Sequence, residues 1–451
     1  MERLAEDGPR QSSQGSVPEE QASSRWDLLA VAAIVAGAVV RVIWGLVIHP
    51  PGDFIYSDMG GYVERARRLA DEGPLLRSDA LFPPGTHMLL AAPMEIFGTG
   101  TAGLWAGSVL WCVMSCLIPL FTWRLARLLL TPAAAALATA FCAFWPLYIT
   151  YGGFFTSETP SLALMVIALW AGYRASRLSG WEAAGLGLFA GVIGGVAIAC
   201  RPQWILNLAV LAVPLLIRFR RRALALAGIV IGATVILAAV VLHNSVAAGE
   251  TTGLSENGGL NFWMGHCDVR AVTTVDTIQG GSYVFGNPVW GQLDRGGTYY
   301  FQGRSIWDQS FFYGMGLDCI RRDGVGHVRV LARGVLNMTA TTVPWPQSND
   351  ENGQRGVVNA SNVAYSLLLP WVLIESVFLI RRRRAAGQPP GELVMLAHFV
   401  CVVLVAWVFF GDPRLRSSYD VFGLALLAAL VADRFGLDAV APERKQSEHG
   451  D

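Results

Sequence analysis

Two carboxylates and a few arginines stand out in a chain that otherwise offers little ionisable chemistry. Asp58 follows the first long apolar run and precedes Met59-Gly60-Gly61-Tyr62 and a helical stretch, Val63 to Glu72. A carboxylate at this point fits two roles. It can cap the helix, whose N-terminal dipole favours negative charge. It can also face a ligand, because the adjacent Gly-Gly lets backbone approach closely. Asp53, Asp71 and Asp79 share the loop and read as solvated acids. Glu158 lies in the turn Thr156-Ser157-Glu158-Thr159-Pro160, at the edge of an apolar run. Such a residue is costly unless paired or hydrated, which favours a working group over a turn carboxylate that only caps the next helix.

Three arginines fall in similar turns. Arg201 opens Arg201-Pro202-Gln203, and Arg414 and Arg416 lie in Gly411-Asp412-Pro413-Arg414-Leu415-Arg416. Fixed guanidinium groups suit a phosphate or pyrophosphate, which they grip bidentately. Contact with lipid headgroups, or an ion pair with Glu158 or Asp412, would also account for them. Arg201 is compatible with either account, whereas the paired Arg414 and Arg416 favour the ligand. His87 closes Phe82-Pro83-Pro84-Gly85-Thr86-His87, as an interfacial polar anchor or a ligand contact. Glu256, Asn257 and Asn261 lie in Ser255-Glu256-Asn257-Gly258-Gly259-Leu260-Asn261, either a turn or a polar surface for a hydroxyl-rich ligand. The seven cysteines form no CxxC or Cys/His cluster, so no metal site or cofactor is indicated, although a divalent ion remains compatible with the carboxylates. Cys267 and Cys319 share one polar loop and are a candidate pair.

These groups must be positioned by apolar elements. The 451 residues are 53% hydrophobic and 15% charged, with zero formal net charge. A soluble chain carries about 25% charged residues, so the solvent here is lipid, and no global field points to nucleic acid. Runs long enough to cross a bilayer occur near 27–48, 101–123, 132–151, 160–176, 182–200, 203–217, 223–242, 362–380, 392–410 and 419–433. Residues 84–98 are apolar but short. If they do not cross, then Arg124/Arg127, Arg174/Arg177, Arg218 to Arg222 and Arg381 to Arg384 all fall on one side, as the positive-inside rule requires. They therefore read as an interfacial or re-entrant helix.

The expectation is an all-α polytopic membrane protein of about ten transmembrane helices with two large extracytoplasmic loops. Its parts are a disordered cytoplasmic tail at 1–26 and a membrane module at 27–242 with a first outer loop at 49–100. A large outer loop follows at 243–361, carrying Trp263, Trp290, Trp307 and Trp345, then C-terminal helices at 362–434 and a cytoplasmic tail at 435–451. Lys445 is the only lysine, an arginine bias that suggests a GC-rich bacterial source and hence a plasma or inner membrane.

In this order, the motifs resemble the GT-C superfamily of glycosyltransferases, in the branch of protein O-mannosyltransferases and lipid A aminoarabinose transferases. The similarity rests on Asp58 with Tyr62 four residues on, Pro83-Pro84-Gly85-x-His87, Glu158, Asn257 to Gly265, and Gly411-x-Pro413-Arg414-x-Arg416. It implies a polyprenyl-phosphate-linked sugar donor, a saccharide, lipid or protein acceptor, and transfer with inversion. It further implies Asp58 as catalytic base, Glu158 as second carboxylate, and Arg414, Arg416 and Arg201 as donor-phosphate ligands. Tyr62, His87, Glu256, Asn257 and Asn261 would face substrate. The chain differs from many relatives in having Asp58-Met59 where they show Asp-Glu, and Arg-Leu-Arg-Ser-Ser in place of Arg-Tyr-Arg-x-Pro. A transporter or flippase of a lipid-linked saccharide is the competing class, and it would place ionisable groups at mid-span.

Overall fold

The computed structural model describes residues 17–217, 219–267, 269–276, 282–288, 299–302, 307–340 and 354–437. Much of both expected tails, Arg218, and Trp290 and Trp345 of the large loop lie outside the described residues. The helices are α1 (Val17–Val42), α2 (Asp58–Ala70), α3 (Arg77–Leu81), α4 (Gly85–Phe97), α5 (Thr101–Leu129), α6 (Pro132–Ala143), α7 (Pro146–Tyr151), α8 (Glu158–Ala175) and α9 (Gly180–Cys200). They continue with α10 (Ile205–Ile217), α11 (Phe219–Ala248), α12 (Gly258–His266), α13 (Gln309–Asp323), α14 (Val328–Asn337), α15 (Gln354–Ala385), α16 (Gly391–Val408), α17 (Pro413–Ser417) and α18 (Asp420–Arg434). The protein is a multi-pass integral membrane protein whose body is helical.

Among the described residues, six helices are long and apolar enough to cross a bilayer: those within Arg25–Asp53, Thr101–Leu129, Gly180–Cys200, Arg222–Ala248, Gln354–Ala385 and Gly391–Val408. The other four expected spans fall outside that set. The run 132–151 is two short helices, because Pro146 cannot extend α6 and starts α7 instead. Helix α8 has fifteen of its eighteen residues buried, packed between α5 and α9. Helix α1 begins at Val17, inside the segment expected to be a disordered tail, with Pro18 in its first turn. The large loop holds α12 to α14 and an antiparallel three-stranded sheet, order β1 (Val269–Asp276), β2 (Ser282–Pro288), β3 (Tyr299–Gln302), with Val272 opposite Gly286 and Phe285 opposite Tyr300. Its polar, Gly-rich sequence carries too little alternation to announce those strands. A Cys267–Cys319 disulfide ties α12 to α13.

Small residues let the helices close up. Gly187, Gly191 and Gly195 of α9 face Ala225, Ile229 and Ile236 of α11, while Gly228 and Gly232 of α11 face Ala184 and Leu188 of α9. A Cβ on these glycines would meet backbone or side chain, so the four-residue glycine spacing fixes how near the two spans lie.

The bundle has two chemically distinct ends. At one, Arg127 pairs with Asp27, Arg177 donates to the carbonyl of Leu128, Gly391 abuts Leu129, Arg383 pairs with Glu392 at 3.3 Å, and Arg382 pairs with Asp433 at 2.9 Å. Arg127, Arg177, Arg382 and Arg383, four of the arginines expected to share one side, thus gather at that end. Asp58, Glu158, Arg201 and Arg414 meet at the other.

Candidate functional site

Asp58 and Glu158 occupy equivalent local positions. Each is the first residue of its helix, after Ser57 and Ser157, where the N-terminal dipole favours a carboxylate. Neither preceding serine makes a side-chain capping bond. The Asp58 carboxylate instead turns toward Arg414, so its side chain serves a tertiary contact. Ser57 adopts φ 49°, a conformation that costs on the order of 1–3 kcal/mol in a non-glycine residue. That strain sits immediately before the acid it aims.

The Glu158 turn is anchored to the end of the first span. Trp44 Nε1 donates to the Thr150 carbonyl at 3.2 Å, His49 Nδ1 pairs with the Gly153 carbonyl at 2.9 Å, and the His49 ring stacks on Phe54. Trp111 Nε1 donates to the Thr156 carbonyl at 3.2 Å. Arg201 is brought alongside by Gly85, which seats the start of α4 directly on the Ala199–Cys200 backbone, where a Cβ would collide. Thus the Pro-Pro-Gly segment packs the site's wall.

Arg414 closes the constellation. Asp412 caps α17 by accepting from the Arg414 backbone N–H at 2.7 Å, and Pro413 holds the first helical position. The Arg414 side chain then bridges the two acids: Nη1 meets Asp58 Oδ2 at 3.0 Å and Nε donates to Glu158 Oε1. Arg201 Nη1 lies 2.7 Å from the same Glu158 oxygen. Two cations and two anions therefore form one cluster, graded in exposure: the Asp58 side chain is 32% exposed and that of Glu158 2%. Burial pushes the Glu158 carboxyl up, but Arg414 and Arg201 outweigh it and hold it down at about 2. Burial opposes the Arg414 charge as well, and Glu158 and Asp58 raise its pKa well above the usual value. Tyr62, one turn beyond Asp58, is buried beside the cluster, and burial with the Asp58 charge lifts its phenol to about 12. Behind Glu158 lies a cavity of about 10 Å³, the room of one water, lined by Tyr148, Tyr151, Thr159 and Ser417 among others.

Other expected site residues lie elsewhere. Arg416 is a correction: its side chain is wholly buried and faces away from the cluster. It pairs with Asp420 at 3.0 Å, donates to the Met338 carbonyl, Ser366 Oγ and Asn362 Oδ1, and lies over the Tyr365 ring. With those partners it ties α15 and the end of the large loop to α17, and no donor is left to grip a phosphate. Arg201, by contrast, stays in the cluster, facing Glu158. Glu256 is gripped by Arg77 of α3 at 3.1 and 3.2 Å, and its backbone N–H donates to the Ala80 carbonyl, so it fastens the large loop to the first one. Asn257 precedes α12 and accepts from Ser255 Oγ at 2.8 Å, and Asn261 lies on α12 itself. His87 is buried on α4 near His243, beside Arg65 and Arg68, and burial pushes its imidazole down to about 3, which makes it a neutral group. Sequence reasoning gave Asp412 no positioning role, although Asp-Pro at a helix start is a readable signal. It also passed over Arg77, whose partner is 179 residues away.

A helical membrane body, with carboxylates and arginines from four separated turns gathered at one end, is the GT-C architecture of membrane glycosyltransferases. The chain has that fold. The apo crystal structure of the Archaeoglobus fulgidus oligosaccharyltransferase superposes with a TM-score of 0.53 at 14% identity, covering 91% of this chain and 51% of that one. The oligosaccharyltransferase AglB of the same organism, in complex with an inhibitory peptide and a dolichol-phosphate, gives 0.51 at 15% identity with the same coverages. ArnT from Cupriavidus metallidurans gives 0.40 at 16% identity, covering 91% of this chain and 77% of that one. The chain spans about half the length of the archaeal enzymes it matches. Residues 82–244 match the family model described as dolichyl-phosphate-mannose-protein mannosyltransferase. That segment runs from the Pro-Pro-Gly wall through Glu158 and Arg201 into the last turns of the fourth long span. No curated protein matches the sequence.

Proposed function

We propose that the protein is an inverting glycosyltransferase that moves a sugar from a polyprenyl-phosphate-linked donor to an extracytoplasmic acceptor, a lipid, polysaccharide or protein. The observation that carries this reading is the convergence of Asp58, Glu158 and Arg414, separated by up to 356 residues, on one guanidinium. The match of 82–244 to a mannosyltransferase family and the dolichol-phosphate held by a protein of the same fold point the same way. So does the gathering of Arg127, Arg177, Arg382 and Arg383 at the opposite end, which by the positive-inside rule would be cytoplasmic.

In the reaction, the Asp58 carboxylate accepts the proton of the acceptor hydroxyl as its oxygen attacks the anomeric carbon from the face opposite the phosphate. The bond from that carbon to the donor phosphate breaks, and the leaving group departs carrying its negative charge. Arg414 meets that charge, because a phosphate leaving group needs a cation more than a proton. Glu158, held by Arg201, fixes the Arg414 fork in place. The donor's lipid tail explains why the catalyst is built in a membrane.

The test is Asp58→Asn, which keeps the shape of the side chain and its place at the head of α2. Purified variant should bind donor, read as donor-induced thermal stabilisation, while sugar transfer falls about 10²–10⁴-fold, the range of a lost general base. Near wild-type transfer would move the base to Glu158. Full activity in both carboxamide variants would take the base away from this cluster, and absence of sugar transfer by the unmutated protein would remove the enzyme reading altogether.

A further inference from the structure

Helix α14 and the turn before it, together Gly324–Asn337, carry an exposed apolar stripe. Val325 is 92% exposed, Val328 64% and Leu336 67%, and Ala332 between them is exposed too. Positions 325, 328, 332 and 336 recur at helical spacing, so they share one face. The opposite face is packed: His327 is buried, and Gly334 meets the backbone at Gly411. Along one flank of the stripe lie Arg329 and Arg333, with Arg321 and Arg322 just before. Asp318 and Asp323 pair with the last two, and the segment 318–337 holds four arginines and two acids in all. None of the α14 residues is fully buried.

The position of the segment says what such a face meets. Helix α14 packs on α16 near that span's end, with Gly334 close to the Ala406 carbonyl. There Leu404, Trp407 and Val408 continue the exposed apolar belt of α16. We propose that the segment Gly324–Asn337 is an interfacial anchor lying in the plane of the bilayer. Its stripe of Val325, Val328, Ala332 and Leu336 enters the acyl boundary, and its arginine flank binds anionic phospholipid headgroups. An amphipathic helix with a basic flank and an exposed apolar face is suited to that depth, and charge complementarity selects an anionic surface over a zwitterionic one. Because Gly334 abuts Gly411, three residues before Arg414, the anchor would also set the level of that arginine relative to the membrane surface. The proposal does not depend on the transfer reaction.

The test uses the full chain in nanodiscs with a nitroxide attached at Val325→Cys or Leu336→Cys. The unmutated chain, whose cysteines are buried, half-buried or in the disulfide, serves as the labelling blank. In discs containing phosphatidylglycerol, both labels should be reached by dissolved oxygen in preference to a water-soluble nickel chelate. Each arginine near an anionic surface strengthens partition about fivefold, so Arg329→Ala/Arg333→Ala should weaken it by about 25-fold. The labels should then shift toward nickel access, and pure phosphatidylcholine should do the same to the unmutated arginines. Nickel access equal in anionic discs and in detergent would overturn the proposal. So would label–label broadening that grows with protein concentration, since it would show that a second copy covers the face.

Discussion

Replacing Arg414 by alanine removes the guanidinium that touches both Asp58 and Glu158. In the intact protein, burial raises the Glu158 carboxyl, and Arg414 with Arg201 brings it down to about 2, against about 4.3 for an unperturbed glutamate. The difference corresponds to about 3 kcal/mol of stabilisation at neutral pH. Because the folded-state value is depressed, that stabilisation is complete above pH ~4.3 and fades as the pH falls toward about 2. Arg201, 2.7 Å from Glu158 in the intact protein, is untouched by the substitution, so the loss at pH 7 should be a fraction of the whole, about 1–3 kcal/mol. Asp58, a third exposed, adds little, since water can replace its partner. The assay is unfolding in mixed detergent–SDS micelles for wild type, Arg414→Ala, Glu158→Gln and the double variant, at pH 7 and pH 3. Wild type and Arg414→Ala should converge as the pH falls, and the pair should couple by more than about 1 kcal/mol at pH 7. Additivity within about 0.5 kcal/mol, or a gap that does not shrink on acidification, would refute the electrostatic account of the cluster.

Arg416→Ala should lower stability by about 3–5 kcal/mol, because it leaves the buried Asp420 without its cation. The folded fraction should keep its affinity for donor phosphate, measured by titration of the purified variant. Cys267→Ser should loosen the large loop at α12 and α13 and cost about 2–4 kcal/mol, seen as protease cleavage between 267 and 319 while the helical body stays intact.

The parts of this molecule that the sequence states are those where chemistry conflicts with lipid. Asp58, Glu158 and Arg414 are legible because each is a charge at the edge of an apolar run, which needs a partner, and those three found one another. Arg416 looked equivalent to Arg414, yet residues two apart on a helix point to opposite sides. One of the two had to leave the site, and spacing alone could not say which. The ion pair of Glu256 was not legible for another reason. Its partner Arg77 lies on a different loop, and no local pattern links positions 179 apart. The break at Pro146 was readable, since proline opens a helix and rarely continues one, but a hydropathy window passes over it. The strands in the large loop were not readable, because their run mixes glycine and polar residues without a clean period of two.

The resting cluster also constrains the order of binding. Arg414, Arg201, Asp58 and Glu158 sum to zero, and Asp58 in that state is bonded to Arg414 at 3.0 Å. A carboxylate so engaged has an oxygen occupied by the guanidinium and turned away from an incoming hydroxyl. On the proposed reading, the donor phosphate competes with Asp58 for the Arg414 fork, while Glu158, more buried, keeps its bond. Binding of donor therefore releases the base toward the acceptor, and the acceptor alone meets a carboxylate turned away from it. Donor should bind first, and its lipid phosphate should tighten acceptor binding by about 5–150-fold, the range of ordinary coupling between sites. The measurement is acceptor affinity with and without polyprenyl phosphate, repeated on Asp58→Asn, where the coupling should collapse. Equal acceptor affinity in the two conditions would mean that Asp58 is already poised in the resting protein, and that the Arg414 bond is a scaffold rather than a latch.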